Sequence, residues 1–199
     1  MKQLKLMTIL FAGLFGLMSQ AANAALIDQG DTTFDDVNNL EWLDLSFTDS
    51  MSINAAASAY TADGWRVANQ TEVLSMIDSL FPGYSGLSGT ADLDFATFDP
   101  VATEFAALMG ITGGSTSVDY IYGMYLDGAN VEYSGIQHTA SLVRLHRDIT
   151  TTLLTTTDSS LGTMGVYMVR DVASVPEASS LAMFAFGLLG LGFARRRKA

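Results

Sequence analysis

The chain has 199 residues, no cysteine, and 21 acidic residues against 10 lysines and arginines. Without thiols there can be no disulfide, thiolate metal site, iron–sulfur cluster or cysteine nucleophile. A formal net charge of −11 repels phosphate backbones and argues against nucleic acid as a partner.

At the N-terminus, Lys2 and Lys5 precede an apolar stretch from Leu6 to Met18, and Ala22-Asn23-Ala24 follows. A charged n-region, an apolar h-region and an A-x-A site make residues 1–24 a secretory signal peptide. Ala22 and Ala24 fill the small-residue positions that signal peptidase requires, so the mature chain is expected to start at Ala25.

Residues 25–174 are expected to form one acidic extracytoplasmic domain, long enough for one sizeable core. Twenty carboxylates face only Arg66, Arg144, Arg147 and Arg170 there, a net charge of −16 with no lysine. Solubility outside the cell is the simplest use of such a surface, and weak divalent-cation binding is the other. The calcium candidates are Asp31, Asp35 and Asp36 and, separately, Asp92, Asp94 and Asp99. Neither set matches an EF-hand loop, and the expectation is a domain without a cofactor.

Within this domain, Ala25 to Asp28 and Leu40 to Leu43 read as short strands around a turn at Asp35-Asp36. Ser52 caps a helix through Ala62, with Gly64 at its exit. Trp65 to Val67 is a brief strand, and Asn69 with Glu72 begins a second helix through Leu80. A Gly/Ser loop runs from Pro82 to Ala91. A third helix is expected from Asp99, with Pro100 in its first turn, to Gly110. Strands follow at Val118 to Leu126, then an Asp127-Gly128 turn, Thr139 to Leu145, and Val166 to Arg170. Thr150 to Thr157 reads as a strand edge or a stalk-like loop. The fold class is α+β: helices in the N-terminal half, antiparallel strands in the C-terminal half.

No motif declares catalysis. The serines near Gly83 and Gly86 miss the spacing of a nucleophile elbow. His138 and His146 lie eight apart with no ligand pattern, and His146-Arg147-Asp148 lacks the glycine-rich loop and lysine of a kinase. Trp42 and Trp65 are expected in the core. Arg66 is expected to tie Glu41 or Glu72. Of Tyr120, Tyr122 and Tyr125, one or two can reach the surface, where tyrosine suits carbohydrate or protein contact.

The C-terminus carries Val175-Pro176-Glu177-Ala178-Ser179-Ser180 (motif 175–180), an apolar run 181–194, and a basic stop Arg195-Arg196-Arg197-Lys198 (195–198). As a helix, the run would span about 21 Å, short of the roughly 30 Å hydrocarbon core. The four cations nonetheless favour a transmembrane helix ending at the cytoplasmic face over a buried core helix. Gly187, Gly190 and Gly192 would give it a face that another membrane helix can approach.

Together the motif, the run and the stop resemble the PEP-CTERM sorting signal of bacterial exported proteins. The family pattern carries a second proline where this chain has Ala178. The resemblance implies that an exosortase recognises Val175, Pro176 and Glu177 and removes the helix after transient inner-membrane anchoring. It implies residence at the outer surface, in the envelope or in an extracellular matrix, with exopolysaccharide as a partner.

A second resemblance joins Asn39 to Asp44, Asp63 to Ala68 with Glu72-Val73, and Gly165 to Asp171. These segments are similar to uncharacterised bacterial exported domains that resemble C-type lectins and the formylglycine-generating-enzyme superfamily. They imply a C-type-lectin-like fold but supply no chemistry. The expected function is a non-catalytic binding or structural role in the envelope or exopolysaccharide layer. The alternatives are a secreted hydrolase with an unrecognised active site and a stably anchored single-pass periplasmic domain.

Overall fold

The computed structural model describes residues 26–151 and 153–172; the signal-peptide and sorting-signal assignments lie outside the described residues. The chain opens with strands β1 (Leu26–Asp28), β2 (Thr32–Asp35) and β3 (Leu40–Leu43). Helix α1 (Ile53–Tyr60) starts where Ser52 Oγ accepts the Ala55 N–H at 3.1 Å. It leaves through a 3-10 turn and Gly64 at φ +84°, a backbone state that costs glycine nothing. After β4 (Arg66–Val67), α2 (Gln70–Leu80) begins with the expected capping box. The Glu72 N–H donates to Asn69 Oδ1 and the Asn69 N–H to Glu72 Oε2, both at 3.0 Å.

Then come β5 (Gly89–Leu93) and α3 (Phe95–Met109). The strands β6 (Gly113–Ser115), β7 (Val118–Asp127), β8 (Asn130–Thr139) and β9 (Leu142–Ile149) follow. Last are β10 (Gly165–Val166) and β11 (Met168–Asp171). One sheet has the order β1-β2-β3-β11-β4 and is antiparallel throughout. The other runs β10-β7-β8-β9-β5, with β6 also on β7; only its β10–β7 pair is parallel. The chain crosses between sheets at Tyr167, which is fully buried. Its N–H donates to Met124 O at 2.9 Å, and its carbonyl accepts the Ala68 N–H at 2.8 Å.

Alternation along β7 divides the interior in two. Ile121 and Tyr125 join Trp42, Ile77, Phe81, Phe105 and Tyr167 in one core, which α2 and α3 line. Tyr122 and Met124 join Leu43, Ile53, Trp65, Val166 and Met168 in the other. Each fully buried large apolar side chain contributes about 1.5–3 kcal/mol, so both tryptophans belong to the packing, as expected.

The α+β class is borne out, with every helix among the described residues ending before Gly110. The N-terminal half is richer in strands than expected, because β2 and β5 were not anticipated. The Pro82–Ala91 loop contains a 3-10 turn holding the buried Tyr84 and the start of β5. α3 begins four residues earlier than Asp99, because Asp94 caps it by accepting the Thr97 N–H. Pro100 therefore sits inside the helix rather than in its first turn. The Asp127-Gly128 turn holds, with Asp127 paired to Asn130. The strand that returns from it is β8, whereas the expected Thr139–Leu145 strand straddles the β8–β9 turn. Thr150–Thr157 supplies no strand among its described residues; Leu154 instead plugs the second core. Val166–Arg170 is divided at Tyr167 between the two sheets. Among the described residues no helix is long and apolar enough to cross a membrane.

Candidate functional site

The hairpin register of the larger sheet dictates which side chains share a face. Tyr120 on β7 stands opposite Gln137 on β8, then Arg144 on β9, then Asp92 on β5. The neighbouring row on that face is Tyr122, Gly135, His146 and Thr90. Three strand spacings make each row roughly 14 Å wide. Tyr133, opposite Met124, extends the face beyond a bulge at Ser134.

The rings form one cluster. Tyr120 stacks on Tyr122 at 5.3 Å between centroids, and Tyr122 meets Tyr133 at 5.5 Å. His146 stands edge-on to Tyr122 at 4.9 Å and stacks on Tyr133 at 6.2 Å. Gly135 lies between Tyr122 and His146 in the row. Its φ is +145°, and a Cβ there would overlap the Ile121 carbonyl. Tyr122 is buried, Tyr120 and Tyr133 are half-buried, and the face then opens onto an ion pair. Arg144 holds Asp92 through Nε at 2.5 Å and Nη2 at 3.0 Å, with the two side chains 37% and 55% exposed.

The aromatic part of this face is uncharged near neutral pH. Burial first, and then the Arg144 charge, push the His146 pKa down to about 4. Neither of its ring nitrogens has a hydrogen-bond partner among the described residues. Burial also raises the hydroxyl pKa values of Tyr122 and Tyr133. The face therefore grades from neutral rings, through the Gln137 amide, to a paired guanidinium and carboxylate. Flat apolar ring faces beside planar hydrogen-bonding groups suit a ligand with both C–H faces and hydroxyls.

The other residues singled out from the sequence have settled roles. His138 lies on the opposite sheet face, with Nε2 2.8 Å from Asp99 Oδ1 and Phe95 stacked on its ring. It is not brought together with His146. His146-Arg147-Asp148 spans the irregular end of β9. There Tyr125 donates to Asp148 Oδ1 at 2.5 Å and meets Ser134 at 2.9 Å. Arg147 Nη1 donates to the Ser85 and Leu87 carbonyls. Its Nε lies 2.8 Å from Asp148 Oδ2, close enough for charge attraction but off the line of a hydrogen bond. Arg66 grips Glu72 with both ends of its fork, at 2.9 and 2.6 Å. Glu41 is held by Arg170 at 2.8 Å, and Arg170 also covers Trp65 at 4.4 Å.

Asp35, Asp92, Asp94 and Asp99, all considered for calcium, are used within the fold. Asp35 accepts from the Val37 and Asn38 backbones and from Asn38 Nδ2. Asp92 pairs with Arg144, Asp94 caps α3 and Asp99 meets His138. Among the described residues no group of three or more histidine or acidic side chains is arranged to hold a metal ion.

Of the three tyrosines marked in the sequence, Tyr120 reaches the surface in part, Tyr122 lies beneath it, and Tyr125 points into the other core. Sequence reasoning missed Tyr133, Gln137 and the Arg144–Asp92 pair because β8 and β5 were not recognised. The signal available was the Val131–Tyr133 alternation directly after the Asp127-Gly128 turn.

Beyond the last described strand, a family model described as the PEP-CTERM protein-sorting motif matches residues 174–198. The chain carries a PEP-CTERM sorting signal. The motif marks an exported protein handled by an exosortase, as the tail implied. No curated protein and no solved structure matches the chain. The PEP-CTERM match covers the tail alone, so the role of the folded domain rests on its own geometry.

Proposed function

We propose that this exosortase substrate is a non-catalytic binding component of the cell envelope or exopolysaccharide layer. Its half-buried Tyr120, Tyr133, Gln137 and Arg144, backed by the Tyr122 and His146 rings beneath them, would hold neutral polysaccharide. The carrying observation is the row Tyr120–Gln137–Arg144–Asp92, which sets hydrogen-bonding groups beside an uncharged aromatic cluster. The net charge of −16 over residues 25–174 disfavours anionic chains and leaves neutral glycans as the better fit. The reading involves no cofactor: millimolar calcium should leave both glycan binding and the melting temperature unchanged.

A C-type-lectin-like arrangement belongs to the same reading. What supports it is that β3, β4 and β11, each drawn from one of the three resembling segments, are adjacent in one sheet. After sorting, the processed protein would reside at the outer surface or in the matrix.

The test is retention of the exported protein on immobilised neutral and acidic polysaccharides. Tyr120→Ala and Arg144→Ala should each weaken retention on a neutral glycan while leaving the thermal melt near that of the parent. Equal retention of parent and both variants, or retention on no glycan in the panel, would remove the face from consideration.

A further inference from the structure

We infer that the end of the smaller sheet bearing the β2–β3 turn is a contact surface for the sorting exosortase. This inference rests on the sorting signal, and is independent of the glycan-binding reading.

The register carries the argument. Leu26 pairs with Asp35, Asp35 with Leu40, and Leu40 with Asp171. These four residues form a single row at one end of the sheet, so the first and last described strands have their free ends there. The exit is fixed in place: the Val172 N–H donates to the Asn39 carbonyl at 3.0 Å. Asn39 closes the β2–β3 turn with φ +53°. The Asp35 carboxylate braces that turn by accepting the Val37 and Asn38 N–H groups at 3.1 and 3.0 Å.

Chain length then limits where an enzyme can work. Val175 is three residues past Val172 and Glu177 is five. Even fully extended, those stretches reach only about 10 Å and about 18 Å. An enzyme that closes around Val175–Glu177 therefore has its walls within reach of the β2–β3 turn. That turn presents Val37, 53% exposed, and the neighbouring strand presents Ile27, 44% exposed. Held on a braced turn beside the chain exit, Val37 can serve as an apolar contact for that enzyme.

Charge favours protein over lipid. Asp171, with its side chain 81% exposed and 3.7 Å from Arg66 Nη2, stands at this end beside the Asp35-Asp36 turn, whose carboxylates anionic headgroups would repel. The complementary partner is a protein surface that pairs an apolar patch with cationic groups.

The experiment follows tail removal from the full chain in an exosortase-bearing host by pulse-chase, using four chains. These are the parent, Val37→Asp, and each of these with a flexible Gly/Ser spacer inserted after Val172. Val37 is exposed, so Val37→Asp should fold; protease resistance of the exported product verifies this. At native length, Val37→Asp should slow processing about fivefold or more, as expected for losing one contact residue. The spaced parent should show the same slowing, and Val37→Asp should add nothing to it. Parent-rate processing of Val37→Asp or of the spaced parent would overturn the inference. So would slowing by Val37→Asp that persists in the spaced chain, since that locates the defect in export or folding.

Discussion

Asp44 offers the sharpest test of the packing account. It follows β3, is only 9% exposed, and its Oδ1 has no hydrogen-bond partner among the described residues. Burial first, and then the Asp28 and Asp31 charges, raise its pKa from 3.8 to about 6. A shift of two units corresponds to ~3 kcal/mol. The folded-state value lies above the unfolded one, so the native state gains relative stability below pH ~4 and loses it as pH rises through ~6. At pH 7, then, Asp44 destabilises the fold. Asp44→Asn removes the charge at constant shape. An amide left partly unpaired gives back about 1 kcal/mol, for a net stabilisation of about 2 kcal/mol. For a domain this size that is a rise in melting temperature of about 4–8 °C. His146 works in the opposite direction in the parent, because a pKa lowered to about 4 costs stability as pH falls below ~6.5. That term is common to parent and variant and cancels in their difference. Thermal melts of the exported protein from pH 4 to 8 should show a gap that is full at pH 7, shrinks as pH falls through ~6, and vanishes or slightly reverses by pH 4. A variant less stable than the parent at pH 7, or a gap that persists unchanged in acid, would mean that burial does not raise the Asp44 pKa.

Further predictions bear on particular elements. His146→Phe keeps a ring between Tyr122 and Tyr133 but has no proton to gain. Its stability should fall less than the parent's between pH 6.5 and 4, which urea titrations at each pH would measure. Gly135→Ala introduces a Cβ into the Ile121 carbonyl at a backbone angle that alanine resists. It should cost more than about 3 kcal/mol or abolish soluble export, as read by denaturant midpoint or yield. Glu72→Ala removes half of the α2 capping box and the Arg66 fork. It should cost about 1–2 kcal/mol by urea denaturation, and a loss near zero would mean that the cap and the ion pair contribute nothing net.

The legible parts of the fold were those set by local chemistry. Ser52 and Asn69 announced their helices because short polar side chains satisfy free N–H groups at a helix start. The Asp127-Gly128 turn announced a hairpin because φ at Gly128 is +59° and glycine adopts it freely. The errors arose where distant contacts decide. β8 hides because its bulge at Ser134 and the bare Gly135 break the alternation that marks a strand. β5 hides in a Gly/Ser stretch because its partner, β9, is fifty residues on and only pairing makes it a strand. The tyrosine face was half legible. The spacing of Tyr120 and Tyr122 is local, but Tyr133, His146 and the Arg144–Asp92 pair join them only through register. The sorting motif at residues 174–198, in contrast, was readable, since an address has to work as linear sequence.

The intact mass of the native protein, recovered from envelope and medium fractions, decides whether the tail is removed. An exosortase-processed chain begins at Ala25 and ends within Val175–Ser180, with or without an added group at the new C-terminus. A mass that still includes residues 181–199 would contradict exosortase processing and leave a domain tethered to the inner membrane.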